Sequence, residues 1–462
     1  MIRIVSLSFA MCFASVLAAT AQQDPRALLM REHPELAAAL QRDAGFGGAS
    51  SALVANRMHS RDAAAIADSR AKTSVEEVAP RTWLIRMPFV NAVLFETSDG
   101  LVLVDAGHSP GGPGLLDAIR SVSKQRIHTV IYTHSHADHA FGTWALLEAG
   151  EKPEIVAAEE LLGGFELLLK LRGSIAKYNN QRFEDGPATR DDFVWPTRTF
   201  RGSLTLKIGG EDFVLTHCKG ETDDQLWVWV PSRRALASAD YYQGFFPNAG
   251  NPKRMLRDID AWAQGLRDMA AREPALLLPA HGEALRDPQQ IRGELLALAE
   301  AFQSVIDQTL AHLNAGLRKD EIPLRVALPP HLASRPTLRV NYTSVADVSR
   351  MVLKKYTGWW DDVLSHWSPA PLAEEARTLV ELAGGSARVA EKARALVAEG
   401  NLALASHLAD WAWHADPNDP VAQQLVVDVY VARAIDPRSL LQERMEYLAR
   451  AAEARGRLAL GQ

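Results

Sequence analysis

Three imidazoles and one carboxylate occur within six consecutive positions of one stretch, Thr133-His134-Ser135-His136-Ala137-Asp138-His139. The stretch follows the apolar run 130–132, which is typical of a short buried strand. Since alternate residues of an extended segment face the same way, His134, His136 and Asp138 are expected on one side. His139 must then point elsewhere, so Asp138 and His139 are not expected to share an ion. Nitrogen and oxygen ligands on two faces predict two metal ions, of zinc or another divalent first-row metal.

Other carboxylates and histidines also stand where predicted strands end. They are Asp105 after the buried run 101–104, Asp240 after 235–239, His281 after 275–279, and Glu221 in the loop that follows 213–217. Ligands that are far apart in sequence can converge at one edge of a sheet when each follows a strand. Asp105 is expected either to cap a turn or to support the metal ligands from behind.

The first 21 residues are typical of a secretory signal peptide. Arg3 precedes an apolar run at 4–18, and Ala19-Thr20-Ala21 matches a small-residue cleavage site. The alternative is an N-terminal membrane anchor, but the run is shorter than the ~20 residues of a membrane span. We therefore expect a secreted, periplasmic protein with no stable membrane anchor. Cleavage would leave one cysteine, Cys218, so no intramolecular disulfide is expected.

Hydrophobic periodicity divides the rest of the chain into three parts. Residues 22–74 predict an N-terminal helical lead, 75–304 alternate strands with helices, and 305–462 are Ala-rich with helical spacing. The fold class predicted is therefore α/β followed by an all-α domain. Residues 155–200 are interpreted as helix and loop, a natural place for a substrate cap. The net charge of −6 and the lack of a basic run argue against a nucleic-acid partner.

The ordered set of ligand residues resembles the metallo-β-lactamase superfamily over about residues 80 to 300. The matching positions are Asp105, then His134-x-His136-x-Asp138-His139, then position 221, then Asp240, then His281. This resemblance implies an αβ/βα sandwich with a dinuclear site at one sheet edge. Most members have a histidine where this chain has Glu221. We expect Glu221 to bind metal, with His217, four residues earlier, as the alternative.

A glutamate at position 221 resembles the zinc-dependent alkyl sulfatase branch of that superfamily. The segments 356–361 (Tyr-Thr-Gly-Trp-Trp-Asp) and 400–417 are similar to the helical dimerisation domain of those enzymes and its approach. This second similarity covers about residues 305 to 460. One departure is Asp240, because the bridging ligand in that branch is often glutamate.

The resemblance implies a complete set of roles for the site. Two Zn²⁺ ions, or other divalent first-row ions, would be held as follows: the first by His134, His136 and Glu221, the second by Asp138, His139 and His281, with Asp240 bridging. A metal-bridging hydroxide would be the nucleophile, and Asp138 would orient it. The expected activity is hydrolysis of a small amphiphilic sulfate ester by a homodimer that forms through the helical domain.

Two other functions remain open at this point. The first is another hydrolase on the same fold that cleaves a lactone, β-lactam, thioester or phosphodiester. The second is a helical scaffold protein that carries a decayed hydrolase domain. Decay typically removes a ligand, and none is missing here.

Charge and aromatic residues suggest the substrate contacts. Three carboxylates and one hydroxide would balance the charge of two zinc ions, whereas a histidine at position 221 would leave one positive charge. A near-neutral centre is expected to suit a monoanionic sulfate ester. The candidate sulfate contacts are Arg254, Lys253, Tyr178 and Arg182, and the candidate alkyl groove comprises Phe245, Phe246, Trp359 and Trp360. The alternatives are solvated surface charges for the first set and ordinary core for the second.

Overall fold

The computed structural model describes residues 24–42, 57–178 and 183–460. The predicted signal peptide and Arg182 lie outside these residues. The chain forms two compact units. One combines the described residues up to Gln41 with those from Trp367 onward, and the other is Arg42–His366. The chain enters the first unit through α1 (Pro25–Glu32) and α2 (Glu35–Arg42).

The unit Arg42–His366 contains all the strands of the described residues. They are β1 (Ser74–Ala79), β2 (Thr82–Arg86), β3 (Asn91–Thr97), β4 (Gly100–Val104), β5 (Ile127–Ile131), β6 (Glu154–Ala158), β7 (Arg198–Phe200), β8 (Ser203–Ile208), β9 (Glu211–His217), β10 (Leu226–Val230), β11 (Ala235–Ala239) and β12 (Leu276–Pro279). Its helices are α3 (Ala63–Lys72), α4 (Gly112–Val122), α5 (Ala137–Ala140), α6 (Thr143–Glu148), α7 (Glu160–Lys170), α8 (Arg172–Tyr178), α9 (Ile259–Ala270), α10 (Pro288–Asn314), α11 (Pro330–Ala333) and α12 (Val345–Tyr356).

Two sheets pack face to face in this unit. The first has seven strands in chain order from β1 to β7, and the second has five in the order β12-β11-β10-β9-β8. Strands β4 to β7 are parallel, as are β11 and β12, while the others are antiparallel. Apolar side chains from both sheets form the inner core, where the rings of Phe95 and Phe213 meet edge to face at 5.6 Å.

Helices cover the outer face of each sheet. Leu115 of α4 and Phe165 of α7 pack with the first sheet, while Trp262 of α9 and Phe302 of α10 pack with the second. Because both faces of each sheet are covered, central strands such as β4 are apolar along their whole length. The predicted αβ/βα sandwich is therefore confirmed.

Two details of this unit differ from the sequence prediction. Strand β7 and all but the first residue of β6 lie inside residues 155–200, for which helix and loop are expected; both strands are short, and β7 has only 3 residues. The predicted boundary at 304/305 falls inside α10, and residues up to 366 remain in the α/β unit. The apolar face of α10 continues past that boundary through Val305 and Ile306, which are buried in the same core as Phe302.

The other unit is entirely helical among its described residues. After α1 and α2 it contains α13 (Leu372–Leu382), α14 (Ser386–Ala398), α15 (Leu402–Ala415), α16 (Pro420–Ile435) and α17 (Leu441–Leu460). Leu29 and Leu36 from the first two helices are buried in one core with the later helices. Among the described residues, no helix combines the length and the apolar character that crossing a bilayer requires.

Candidate metal centre

Strand ends bring the candidate ligands to one edge of the sandwich. Asp105 follows β4, the histidine-rich stretch follows β5, Asp240 follows β11, and His281 comes two residues after β12. In each sheet the two strands involved are parallel neighbours, so their carboxyl ends meet. Glu221 lies in the connection between β9 and β10.

Asp105 ties the ends of β4 and β5 together. Its Oδ1 accepts a hydrogen bond from the backbone N of Thr133 at 2.8 Å, and its Oδ2 accepts one from Thr133 Oγ1 at 2.8 Å. Its Oδ2 also lies 2.8 Å from Nδ1 of His139. A proton on Nδ1 leaves Nε2 of His139 with a free lone pair that faces the centre. Asp105 adopts a positive φ of 61°, a conformation that aspartate tolerates better than most residues.

The first ligand group consists of His134, His136 and Asp240, whose donor atoms all lie within 4.8 Å of one another. Nε2 of His134 is 2.9 Å from Nδ1 of His136 and 3.8 Å from Oδ2 of Asp240. Nδ1 of His134 lies 3.1 Å from Thr133 Oγ1, which donates its own proton to Asp105 and therefore accepts here. This contact sets the imidazole so that Nε2 faces the other two ligands.

The second ligand group consists of Asp138, His139 and His281. Oδ2 of Asp138 is 3.5 Å from Nε2 of His139 and 3.6 Å from Nε2 of His281. Oδ1 of Asp240 is 3.5 Å from Nε2 of His139 and 3.2 Å from Nε2 of His281. Asp240 therefore faces the first group with one carboxylate oxygen and the second group with the other, as a bridging ligand does.

Asp138 and His139 share one group, contrary to the expectation from strand alternation. The extended segment β5 ends at Ile131, and residues 137–140 form the short helix α5. Adjacent side chains on a helix are about 100° apart instead of 180°, so both residues can reach the same point. The expectation was wrong because it continued the strand geometry too far.

Burial disfavours the charged form of every ligand in the centre, and neighbouring charges decide whether its pKa is raised or lowered. Burial lowers the pKa of His136 to about 3. Burial also lowers the pKa of His281, but the larger combined effect of the neighbouring carboxylates, chiefly Asp240, raises it to about 9. Burial acts upward on Asp240, yet His281 and His139 hold its pKa well below the usual range. Asp240 is therefore ionised, and a cation that binds the second group would displace protons from its histidines.

The residues present fit divalent metal ions. Nε2 of His139 and Oε2 of Glu221 are buried and have no hydrogen-bond partner among the described residues. Leaving a polar atom in this state costs about 1–3 kcal/mol, which a metal bond would offset. Imidazole and carboxylate donors in this mixture suit zinc and other first-row divalent ions.

Glu221 and His217 occupy different environments. Glu221 is buried, and its Oε1 lies 3.9 Å from Nδ1 of His136, beside the first group. His217 is the last residue of β9, and its Nε2 lies 2.7 Å from the carbonyl oxygen of Asp223. The structure therefore places Glu221, not His217, next to the other ligands.

Arg257 is a residue of the centre that was not predicted from the sequence. Its guanidinium is buried, with Nη2 2.8 Å from Oε1 of Glu221. Its Nη1 is also buried, with no hydrogen-bond partner among the described residues. The available signal was its position: Arg257 closes the loop after β11 and directly precedes Asp258, which caps α9.

The substrate contacts predicted from the sequence do not form one cluster. Lys253 and Arg254 are half-buried in the loop before Arg257. Tyr178 is exposed at the end of α8, and Arg182 lies outside the described residues. Of the four aromatic residues, Phe246 belongs to the core against Phe302, Phe245 is buried, Trp359 is almost fully exposed, and Trp360 is half-buried. The structure therefore gives no shared groove for these four, because Phe246 fills core and Trp359 faces solvent.

Two family models match the chain. The metallo-beta-lactamase superfamily matches residues 86–281, and alkyl sulfatase dimerisation matches residues 318–457. A linear primary-alkylsulfatase of Pseudomonas sp. (strain ATCC 19151) is 30% identical over 360 residues, which cover 72% of this chain and 68% of that protein. The chain belongs to the alkylsulfatase family.

The chain is also similar to two more distant proteins. The alkyl/aryl-sulfatase BDS1 of Saccharomyces cerevisiae is 24% identical over 371 residues, covering 73% of this chain and 57% of that protein. The structure of the stereoselective inverting sec-alkylsulfatase Pisa1 from Pseudomonas sp. has a TM-score of 0.74 at 22% identity and covers 83% of this chain. That match spans 66% of the Pisa1 chain and shows the shared fold. The chain thus spans about three-fifths to two-thirds of the length of these alkylsulfatase relatives.

Proposed function

We propose that this protein hydrolyses sulfate esters, in particular alkyl sulfates, to an alcohol and sulfate. The observation that carries the proposal is the pair of ligand groups joined by Asp240 in a chain of the alkylsulfatase family. The helical unit supports the same reading, because the alkyl sulfatase dimerisation model covers most of it. The helical unit therefore argues against a lactonase or a β-lactamase.

Two zinc ions are the cofactors we propose for the centre. His134, His136 and Glu221 would hold one, Asp138, His139 and His281 the other, and Asp240 both. Bound there, such ions supply Lewis acidity, which activates water at neutral pH and stabilises negative charge on the ester.

The side chains around the ions have separate tasks in this proposal. His139 and His281 hold the pKa of Asp138 well below its usual range, against the effect of burial. Asp138 is therefore a carboxylate, and it would accept a hydrogen bond from the attacking water and fix its direction. Arg254 and Lys253 are candidate donors to the sulfate oxygens, and the unpartnered Nη1 of Arg257 is a third.

Sulfate release together with metal content tests the proposal. The purified full chain is analysed for bound metal and assayed by ion chromatography on primary, secondary and aryl sulfates, with a β-lactam, a lactone and a phosphodiester in parallel. We expect about two metal ions per chain and sulfate release that a chelator abolishes and zinc restores. His134→Ala should lose metal and activity, while the matched variant His217→Ala should keep its metal. A metal-loaded chain that releases no sulfate from any ester would contradict the proposal.

We also propose that the protein is a homodimer. The support is the match of residues 318–457 to the alkyl sulfatase dimerisation family. Light scattering coupled to size-exclusion chromatography should give twice the mass of one chain. A monomer at micromolar concentration would contradict this assignment.

Export to the periplasm is the remaining proposal, and it rests on the signal-like sequence of residues 1–21. Expression of the full chain in a bacterial host, followed by fractionation and mass spectrometry of the N-terminus, tests it. The expected product begins at Gln22 and is found in the periplasmic fraction. An intact N-terminus in the cytoplasmic fraction would refute cleavage and export together.

A further inference from the structure

Arg257 forms a buried ion pair with Glu221, whose Oε1 also lies near the ligand His136. Nη2 of Arg257 lies 2.8 Å from Oε1 of Glu221, and the two side chains are 5% and 6% exposed. Such burial is unusual for an arginine, and the charge of a guanidinium persists even in a buried site. The centre therefore contains a permanent positive charge that a count of ligands alone omits.

The surroundings of Glu221 fix its carboxylate asymmetrically. Oε1 receives the hydrogen bond of Arg257 and a longer one, at 3.4 Å, from Nδ2 of Asn248. The backbone N of Glu221 donates to Oε1 of Gln225 at 2.6 Å, which holds the loop itself. Oε2 is buried with no hydrogen-bond partner among the described residues. One oxygen is thus held by protein donors, and the other is left available.

The charge of the pair has a further consequence. A glutamate in place of the histidine of most superfamily members lowers the charge of the centre by one unit. The buried guanidinium of Arg257 raises it by one unit again. Taken together, Glu221 and Arg257 present the neutral charge of one imidazole, with a single oxygen in place of the imidazole nitrogen.

We propose that Arg257 is a positioning residue that makes Glu221 the electrostatic equivalent of a histidine ligand and directs its Oε2 to the first metal. This inference rests on the proposed metal-dependent function. It corrects the expectation that Glu221 makes the centre near neutral, since Arg257 restores the positive charge. The monoanionic sulfate ester then meets a centre of the same charge as one with a histidine at position 221.

Exchange of either partner alone leaves a buried charge without its counter-charge. Breaking a buried ion pair in this way is strongly destabilising, while replacing both partners by neutral groups is often tolerated. Glu221→His alone would place an imidazole and a metal ion beside an uncompensated guanidinium. Arg257→Met alone would leave an anionic ligand without its counter-charge, and Oε1 would keep only the longer hydrogen bond from Asn248. The double variant Glu221→His/Arg257→Met leaves neither an uncompensated guanidinium nor an uncompensated carboxylate, and it keeps a metal ligand at position 221.

A double-mutant cycle on metal affinity tests the proposal. Affinity is measured by competition between zinc-loaded full chain and a chromophoric chelator, and the Co²⁺-substituted protein is compared by its visible absorption. We expect each single variant to lose at least about tenfold in affinity for one of two ions. The double variant should recover to within about threefold of the parent, and Arg257→Lys should recover only in part, because lysine lacks the planar fork.

A matched control separates this effect from general destabilisation. Arg233 and Glu211 form another largely buried Arg–Glu pair, which lies at the turn between β10 and β11. Arg233→Met should lower the midpoint of thermal unfolding without changing metal affinity.

The possible outcomes separate a failure of the proposal for Arg257 from a failure of the proposed metal-dependent function. If the parent protein binds no divalent metal, the proposed function itself fails. If the parent binds two ions and Arg257→Met binds them equally well, the proposal for Arg257 alone is overturned. A double variant as weak as the weaker single variant would also overturn it, because the charges would then not compensate.

Discussion

At the scale of single residues, Asp105 is the carboxylate that supports the centre without facing it. It accepts hydrogen bonds from Thr133 and, through Oδ2, from Nδ1 of His139. Asp105→Ala should therefore lower metal affinity by about 10- to 100-fold, because the imidazole of His139 loses its fixed tautomer and direction. The free energy of unfolding should fall by about 2–3 kcal/mol, because buried donors lose their acceptor. Chelator competition and chemical denaturation measure the two effects.

The control for this variant is the exposed carboxylate Asp68, which pairs with Lys72 on the surface of α3. Asp68→Ala should change stability by less than about 0.5 kcal/mol and leave metal affinity as it is. Equal effects of the two substitutions would show that Asp105 has no special role.

Cys218 provides a test of electrostatics outside the centre. Burial, with a smaller contribution from Asp268, raises the pKa of its thiol to about 11. Since only the thiolate reacts, alkylation by iodoacetamide should be about 100-fold slower at pH 8 than for an unperturbed thiol. The rate should rise about tenfold per pH unit up to pH 10 and should reach the ordinary value when the chain is unfolded in urea. Mass spectrometry of the Cys218 peptide follows the reaction, and a fast reaction at pH 8 would refute the shift.

At the scale of elements, the turn between α5 and α6 packs closely against the segment that follows β4. The backbone N of Gly142 donates to the carbonyl of Gly107 at 2.8 Å. A Cβ on Gly142 would lie 2.0 Å from the carbonyl oxygen of Ala106, which is backbone and cannot swing away. Gly142→Ala should therefore destabilise the protein by about 1–3 kcal/mol. It should also weaken metal binding, since the backbone N of Ala106 donates a hydrogen bond to the carbonyl oxygen of the ligand His139.

Gly163 in α7 is the matched position for that substitution. A Cβ there would meet nothing within 4 Å, and the residue is inside a helix. Gly163→Ala should stabilise the protein by about 0.5–1 kcal/mol, because alanine loses less backbone entropy on folding. Thermal unfolding of both variants is the measurement, and a stabilised Gly142→Ala protein would contradict the packing argument.

Element positions were largely predictable where burial leaves a clear pattern. The run 101–104 ends at the strand boundary before Asp105, and α12 lies inside the stretch whose helical spacing was predicted, because its buried face recurs with helical period. Strand β6 was missed because Glu154–Ala158 contributes only two large apolar residues. The boundary at 304/305 falls inside α10, because a helix gives no local sign in the sequence of which core its apolar face covers.

The metal ligands of the candidate site could be predicted from the sequence, but the residues that position those ligands could not. His134, Asp240 and His281 are recognisable because each follows a strand and carries a metal-binding group. Arg257 was not, since its role depends on a loop that returns it to Glu221, 36 positions earlier in the chain. Phe246 was equally ambiguous, because an aromatic residue near a site is indistinguishable in sequence from one in the core.

At the scale of the whole molecule, metal binding should stabilise one unit and not the other. All candidate ligands belong to the unit Arg42–His366, and the helical unit has a core of its own. Metal present at 1,000 times its dissociation constant adds about 4 kcal/mol to the stability of the unit that binds it. With a chelator, amide hydrogen exchange should become faster by up to about 1,000-fold in β4, β5, β11 and β12. Exchange in α14, α15 and α16 should stay constant, and a parallel change there would contradict independent units.

The helical unit is assembled from both termini of the described chain. Leu29 of α1 shares a core with α16 and α17, and Arg455 of α17 lies 2.7 Å from Glu32. On the ribosome, α1 and α2 emerge before the sandwich, but this core cannot form until α14 to α17 have also been translated. The sandwich between them can fold meanwhile, so synthesis imposes an order in which the helical unit closes last. A purification tag or a truncation at the amino end would therefore disturb the carboxy-terminal helices before it disturbs the sandwich.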